Sequence, residues 1–468
     1  MVAKLDEILD EQRTYFNSGA TLDVDFRIEK LKILKSAIIN YKEKIVKALN
    51  EDLRKSEFEA YAMEIFPVLE DINLAIKNVK SWAQAKRVPT PLHLGGITGG
   101  AESFILNEPK GCVLIISPFN YPFQLSLIPI IGALAAGNTV ILKPSSDTLK
   151  TTKILMEMLN SIFAREYVYV LNPVTILHFD LLNKKYDHIF FTGSTQTGKK
   201  IMEAACKFLT PITLELGGKS PCIVDKNCHI HNAARSIIFG KLLNAGQTCV
   251  APDYILVHQD VKDILIEELK ASIKEYLGPL PQESKDFGRI INDRQFAKLK
   301  EIIEIENENI IYGGQFSECG LYVEPTLLDI KSFDSFVMQN EIFGPVLPIL
   351  TFENTYDIIK TLKTLEKPLA AYIFSTDENI VNTFLKTYSF GGGCVNETML
   401  HTANNNLPFG GVGYSGLGSY HGKFTFDTFT HKKAIYKKRG DKAFKSLISP
   451  DSNEKTGIIK RILKFMEF

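Results

Sequence analysis

No apolar run in this chain reaches the ~20 residues that a membrane-spanning helix needs. The longest, Leu125 to Ala136, is interrupted by Ser126 and Pro129. Net charge is missing too, since 54 Lys and Arg balance 54 Asp and Glu. A general polyanion binder is therefore excluded, and no nucleic-acid partner is expected. Met1 to Arg13 mixes charges and has no apolar core, so no secretory signal is read there. Cysteines are few, odd in number at seven, and never spaced Cys-x-x-Cys, which argues against a disulfide framework. A reducing, cytoplasmic setting is the expectation. Cys228-His229-Ile230-His231 fits no usual zinc spacing and reads as a solvated turn, so no metal is expected.

What is present is ordinary in composition, 45% hydrophobic and 23% charged over 468 residues. That length exceeds one core, so two or three domains are expected. Residues 5–87 read as helical. Ile38, Tyr41, Ile45 and Leu49 form one apolar stripe, and a second helical stretch runs from Glu57 to Ala85. Prolines 89 and 91 end it, and Ala101 to Asn107 reads as a strand.

A strict alternation follows. Strands are expected at 112–116, 139–142, 167–170, 188–191 and 212–215, with helices at 122–136, 147–163, 174–183 and 197–208. Apolar strands alternating with helices predict a doubly wound parallel sheet, whose ligands bind beyond the carboxyl ends of the strands. From about Ser220 a second α/β unit is expected. Its strands are read at 223–224, 255–257, 310–312 and 371–374, and its helices at 230–243, 261–277 and 293–306.

Chemistry concentrates at the strand ends. Glu215 lies in Leu214-Glu-Leu-Gly-Gly-Lys-Ser-Pro221, and 34 residues later Cys249 ends Asn244-Ala-Gly-Gln-Thr-Cys249. A carboxylate base near a thiol nucleophile suits covalent catalysis with hydrolytic turnover. Asn120, in Pro118-Phe-Asn-Tyr-Pro122, has a side-chain amide that can donate to an oxyanion. Gly193-Ser-Thr-Gln-Thr-Gly198 follows a strand and opens a helix, the context for phosphate at a helix N-terminus. It lacks the middle glycine of the usual dinucleotide fingerprint, so a glycine turn that only packs stays open. Lys143-Pro-Ser145 ends a strand at the same mouth and reads either as a ribose or phosphate contact or as a solvated lysine. Glu341-Ile-Phe343-Gly-Pro345 adds a carboxylate and an aromatic ring in a tight loop.

Taken in order, Pro118–Pro122, Lys143–Ser145, Phe191–Gly198, Leu214–Pro221, Gly246–Cys249, Glu341–Val346 and Pro408–Gly416 resemble the NAD(P)-dependent aldehyde dehydrogenase superfamily over nearly the whole chain. Cys249-Val-Ala-Pro-Asp-Tyr254, Tyr420-His-Gly-Lys423 and Phe426-Asp-Thr-Phe-Thr-His431 are most similar to the class 3, or fatty-aldehyde, branch.

That resemblance implies two doubly wound domains and a small bridging β hairpin for oligomerisation. The cofactor-binding domain is expected at 1–87 and 108–215, the catalytic domain at 216–399, and the bridging element at 88–107 and 400–435. A homodimer is implied. Cys249 is implied as the nucleophile, Asn120 as the oxyanion donor and Glu215 as the base that hydrolyses the thioester. Lys143 and Ser146 are implied on the adenine side of NAD or NADP, Gly193, Ser194 and Gly198 near the pyrophosphate, and Glu341 and Phe343 near the nicotinamide end. The implied reaction oxidises an aldehyde to its acid, with an apolar, medium to long-chain or aromatic substrate. The rivals are a coenzyme A-acylating relative, disfavoured by Glu215, and a catalytically silent binding homologue. Many NAD-preferring relatives carry glutamate where Ser146 stands. Serine does not repel a 2′-phosphate, so NADP is expected to be tolerated.

Residues 436–468 form a lysine-rich tail. Ile458, Ile462, Phe465 and Met466 share one helical face, with Lys460, Arg461 and Lys464 off it. Such a helix either docks on protein or makes peripheral contact with an anionic membrane.

Overall fold

The computed structural model describes residues 2–91, 94, 100–175, 178–438 and 452–466. Contacts divide the chain into two units, 1–79 with 110–429, and 80–109 with 430–468.

The larger unit opens with helices. Val24–Leu53 is capped by Asp23, whose side chain accepts from Asp25 N. Leu31, Leu34, Ile38, Ile45 and Leu49 are buried along one stripe, as the spacing predicts. The helix stops where Arg54 turns left-handed, at φ 54°. The next helical stretch carries a wide π turn at Ala60–Ile65 between Glu57–Glu59 and Phe66–Ala83. The sequence pattern does not reveal that turn. Its extra residue rotates the face that points inward.

Two sheets follow. The first has six strands in the order Gly416–Leu417, Ile212–Glu215, His188–Thr192, Cys112–Ile116, Thr139–Lys143 and Val168–Val170. All are parallel except the antiparallel edge Gly416–Leu417. From Cys112–Ile116 the chain winds outward to Val168–Val170 and then returns to the other side. The crevice between Cys112–Ile116 and His188–Thr192 is thus the switch point. Asn120, Lys143, Ser194 and Glu215 all lie at or just past the carboxyl ends of these strands.

The second sheet has seven strands in the order Ile310–Tyr312, Thr326–Asp329, Val346–Phe352, Tyr254–His258, Pro221–Val224, Ala370–Phe374 and Gly392–Val395. Only Ile310–Tyr312 runs antiparallel. Three of these strands go beyond those read in the sequence. Val346–Phe352 contains Pro348, and proline argues against an inner strand. Gly392–Val395 starts in a glycine run that reads as a turn. There the strands approach so closely that a Cβ on Gly393 would strike the Ala371 carbonyl.

Several helices differ from expectation: Leu149–Ile162 starts two residues late and Thr195–Cys206 starts and ends two early. Gln124–Ala136 starts two residues late, and the stretch expected at 174–183 is reduced to His178–Leu182, with 176–177 outside the described residues.

The smaller unit is a three-stranded antiparallel sheet of Lys86–Val88, Ala101–Pro109 and Thr430–Lys438. Residues 400–429, expected in the bridging element, belong to the larger unit and supply its edge strand Gly416–Leu417. The tail contains the helix Ser452–Met466. The side chains of Ile458, Ile462, Phe465 and Met466, on which its apolar face was read, lie outside the described residues. No described helix is long and apolar enough to cross a membrane.

Candidate active site

Cys249 sits at the end of a strained loop. The helix Ile230–Leu242 gives way to a turn in which Asn244, Ala245 and Gly246 all have positive φ, at 53°, 52° and 76°. Two of these are not glycine, so the turn is held from outside. Asn244 N donates to Glu59 Oε1 at 2.8 Å. Gln247 Nε2 donates to Arg289 O at 2.9 Å, and Gln247 Oε1 accepts from Ile291 N at 3.0 Å. Gly246 is required as glycine, because a Cβ there would strike the Gly344 carbonyl.

Asn120 meets this loop. Its Nδ2 donates to Gln247 O at 3.1 Å, and its carbonyl accepts from Asn244 Nδ2 at 2.8 Å. The neighbouring Tyr121 hydroxyl pairs with Thr248 Oγ1 at 2.6 Å. The structure thus brings Asn120 and the Cys249 loop together, although 129 residues separate Asn120 from Cys249 in sequence.

Glu215 ends its strand in register with Thr192. It is buried, and neither carboxyl oxygen bonds to another described residue. Burial alone pushes its carboxyl well above the usual carboxylate range. A buried carboxyl without partners is costly, and such groups mark functional sites.

Glu215 and Cys249 line one cavity of about 760 Å³; Asn120 is not among its lining residues. Tyr61, Ile65, Leu125, Phe239, Met399 and Phe409 give it an apolar wall. Tyr420 and His421 also face it. Thr192 also lines it, and Thr192 Oγ1 and His421 Nδ1 are buried without a partner among the described residues. The Cys249 thiol is pushed up to about 12 by burial, then by the Glu341 and Glu215 charges.

Glu341 belongs to a loop tied down by cations. Lys219 Nζ bonds to Asp253 Oδ2 at 2.5 Å and to the Val337 and Asn340 carbonyls, and Lys298 Nζ bonds to the Glu341 carbonyl. The Glu341 carboxylate packs where Gly217 lacks a side chain. Burial and then the Asp253 charge raise it to about 7. Phe343, at φ 55°, sets its ring edge-on to Phe119 at 5.8 Å.

The remaining sequence candidates cluster at the first sheet instead of the cavity. Lys143 is buried at the end of its strand, and burial lowers its pKa. Ser146 is exposed just beyond it. Ser194 caps the twelve-residue helix Thr195–Cys206 and accepts from Thr197 N. Gly193 N donates to Glu215 O at 3.0 Å, which ties this turn to the end of the Glu215 strand. Gly198 packs. A Cβ there would lie 2.7 Å from Leu216 Cδ2. A helix N-terminus and a lysine flanking the switch-point crevice fit a dinucleotide whose phosphates sit on the helix.

Residues that the sequence did not single out complete the site. They are Glu59 under the Cys249 loop, the Lys55–Glu64 pair behind Asn120, and the cavity residues Tyr121, Thr192, Tyr420 and His421.

Residues 2–435 match the model of the "Aldehyde dehydrogenase family". A 4,4'-diaponeurosporen-aldehyde dehydrogenase of Staphylococcus aureus is 47% identical over 424 residues, 91% of this chain and 92% of that protein. The mouse "Aldehyde dehydrogenase, dimeric NADP-preferring" is 40% identical, covering 96% of this chain and 98% of its own. A substrate-bound Staphylococcus aureus AldH superposes with a TM-score of 0.94 at 44% identity, covering 98% of this chain and 99% of that one.

Proposed function

Because the chain belongs to the aldehyde dehydrogenase family, whose reaction is oxidation of an aldehyde to the carboxylic acid with NAD or NADP, we propose the following roles for its own residues. Cys249, as thiolate, adds to the aldehyde carbon and forms a C–S bond. The carbonyl oxygen becomes an oxyanion, which the Asn120 amide and the Cys249 backbone N–H hold. One such preorganised donor is worth about 3 kcal/mol. The nicotinamide, when bound, supplies the hydride acceptor. Loss of hydride from the former aldehyde carbon leaves a thioester on Cys249. Glu215 takes a proton from water as that water adds to the thioester, and the thiolate departs as the acid forms. Lys143 and Ser146 hold the adenine-side ribose, the Gly193–Ser194 turn the pyrophosphate with Gly198 packing its helix, Glu341 the nicotinamide-side ribose, and Phe343 the ring.

The observation that carries this reading is the shared cavity, which places a thiol and an unpartnered carboxyl in one apolar space. That space also favours an apolar aldehyde, of medium to long chain, polyene or aromatic. The Staphylococcus aureus relative is named for a polyene aldehyde. Absorbance of reduced cofactor tests the reading across aldehydes of graded length. We expect kcat/KM to climb at least about tenfold from propanal to decanal, since each buried methylene adds to binding. A maximum at the shortest chain overturns the substrate class.

The same assay reads the cofactor. With Ser146 at the adenine side, NADP is expected to support turnover comparable to NAD. Ser146→Glu should cut kcat/KM for NADP by about a hundredfold through like-charge repulsion and spare NAD. A hundredfold preference for NAD in the unaltered protein refutes that role.

We also propose a homodimer built on the small sheet, where Val88, Phe104, Ile105 and Ile435 line an apolar depression. Sedimentation at equilibrium should give twice the chain mass. A monomer at micromolar concentration rejects it. Peripheral membrane contact is assigned to the tail helix, and deleting residues 455–468 should abolish pelleting with anionic liposomes. Unchanged pelleting removes that role.

A further inference from the structure

Lys55 and Glu64 are both fully buried, with Nζ and Oε1 2.5 Å apart. Taking two charges out of water is costly, and an apolar pair of similar volume usually stabilises a fold as well or better. The pair therefore calls for another account, and its contacts supply one. Lys55 Nζ donates to the Asn120 carbonyl at 2.8 Å and lies 3.9 Å from the centre of the Tyr121 ring. Glu64 Oε2 accepts from Phe123 N at 3.1 Å and Gln124 N at 2.9 Å. Apart from their mutual bond, these hydrogen bonds and this ring contact all fall on residues 120–124.

The same helical stretch holds the other half of the site. Glu59 Oε1 takes the Asn244 N–H at 2.8 Å. Asn244 Nδ2 in turn shares itself between Asn120 O at 2.8 Å and Gln247 O at 3.1 Å. Both acceptor directions of the Asn120 carbonyl are therefore filled, one by Lys55 and one by the nucleophile loop. The π turn at Ala60–Ile65 is what carries Glu64 inward.

We propose that the buried Lys55–Glu64 pair is a positioning device that fixes the Asn120 backbone, and through it aims the Asn120 amide at the oxyanion formed on Cys249. The proposal rests on Asn120 acting as the oxyanion donor. Lys55 and Glu64 touch no reacting atom. They act through Asn120.

The test is the double variant Lys55→Met with Glu64→Gln, which removes both charges together and leaves no unpaired ion. The amide introduced by Glu64→Gln keeps an oxygen for Phe123 N and Gln124 N. We expect kcat for aldehyde oxidation to fall by about a hundredfold, as for a misplaced catalytic group. Hydrolysis of p-nitrophenyl acetate, which also builds an oxyanion at Cys249, should fall in parallel. Alkylation of Cys249 by iodoacetamide builds none and should change less than about threefold. Unchanged kcat overturns the proposal, and so does an equal loss of alkylation, which would show a general structural role. Glu64→Gln alone, should the double variant not fold, is expected to lose about tenfold in kcat with alkylation spared, and an unchanged kcat there overturns it equally. Asn120→Ala separates the two levels. If it keeps full activity, the donor assignment fails first. If it is impaired, adding the double variant to it should cost nothing more, whereas additive losses overturn the coupling.

Discussion

Cys249→Ala will lower aldehyde oxidation by at least about 10⁴-fold while leaving cofactor binding intact, as read by fluorescence of bound reduced cofactor. In the proposed mechanism covalent capture is the first step, and no second cysteine among the described residues lines the cavity. Cys206 and Cys319 are exposed, Cys112 is buried with its thiol donating to Gln12 Oε1 at 3.1 Å, and Cys394 lies against His401 at 3.4 Å. Retention of more than a few per cent of the activity would mean that the thiol is not the nucleophile.

The pH dependence of Cys249 alkylation carries a sign that follows from its surroundings. Burial, Glu341 and Glu215 all disfavour the thiolate and push the group up to about 12. Only the thiolate is alkylated. The rate in the cofactor-free protein should therefore keep rising past about pH 9. A plateau below about pH 8 would contradict the assigned surroundings. Glu341→Gln removes the larger of the two carboxyl contributions, lowers the thiol pKa and should speed alkylation at neutral pH.

The first sheet was legible because its strands are short, uniformly apolar and separated by helices of the expected length, so one local rule repeats. Glu215, Cys249 and Asn120 were legible because glycines or prolines bracket each of them. What stayed hidden is long-range. The cavity wall joins Tyr61 and Ile65 to Met399 and Phe409, more than three hundred residues apart, and no local pattern announces that meeting. Lys55, Glu59 and Glu64 carry no local signal, since charged residues in a helical segment are ordinarily solvated. The left-handed turn at Arg54 precedes Lys55, and the π turn contains Glu64, so a simple helical period does not place either side chain. Val346–Phe352 is not among the strands read from the sequence; it contains Pro348, a residue disfavoured in inner strands, yet it pairs on both sides. Gly198 shows the converse. Its motif suggested phosphate, and its contact with Leu216 shows that packing accounts for the missing side chain.

Glu215→Gln should divide the reaction at the thioester. Reduced cofactor should appear in a burst equal to the active sites, followed by turnover about 10²- to 10⁴-fold slower than in the unaltered protein. Intact-mass measurement should find the acyl group on Cys249. The substitution is nearly isosteric, and neither Glu215 oxygen bonds to another described residue, so no hydrogen-bond network collapses with it. The thermodynamic sign supports this. Burial raises the folded-state pKa of Glu215 above its unfolded value. The folded protein then holds the proton more tightly, and this group's contribution to stability falls as pH rises from the unfolded pKa towards the folded one. Glutamine carries no such penalty, so Glu215→Gln should melt at or above the unaltered protein at neutral pH while turning over far more slowly. The base form of Glu215 exists only above its raised pKa, so deacylation should accelerate as pH rises through that pKa, and the variant should flatten that limb. Hydroxylamine attacks a thioester without general-base help and should restore turnover to the variant. Full turnover without a burst would remove Glu215 from hydrolysis, and a burst that hydroxylamine fails to relieve would place the block after the acyl-enzyme.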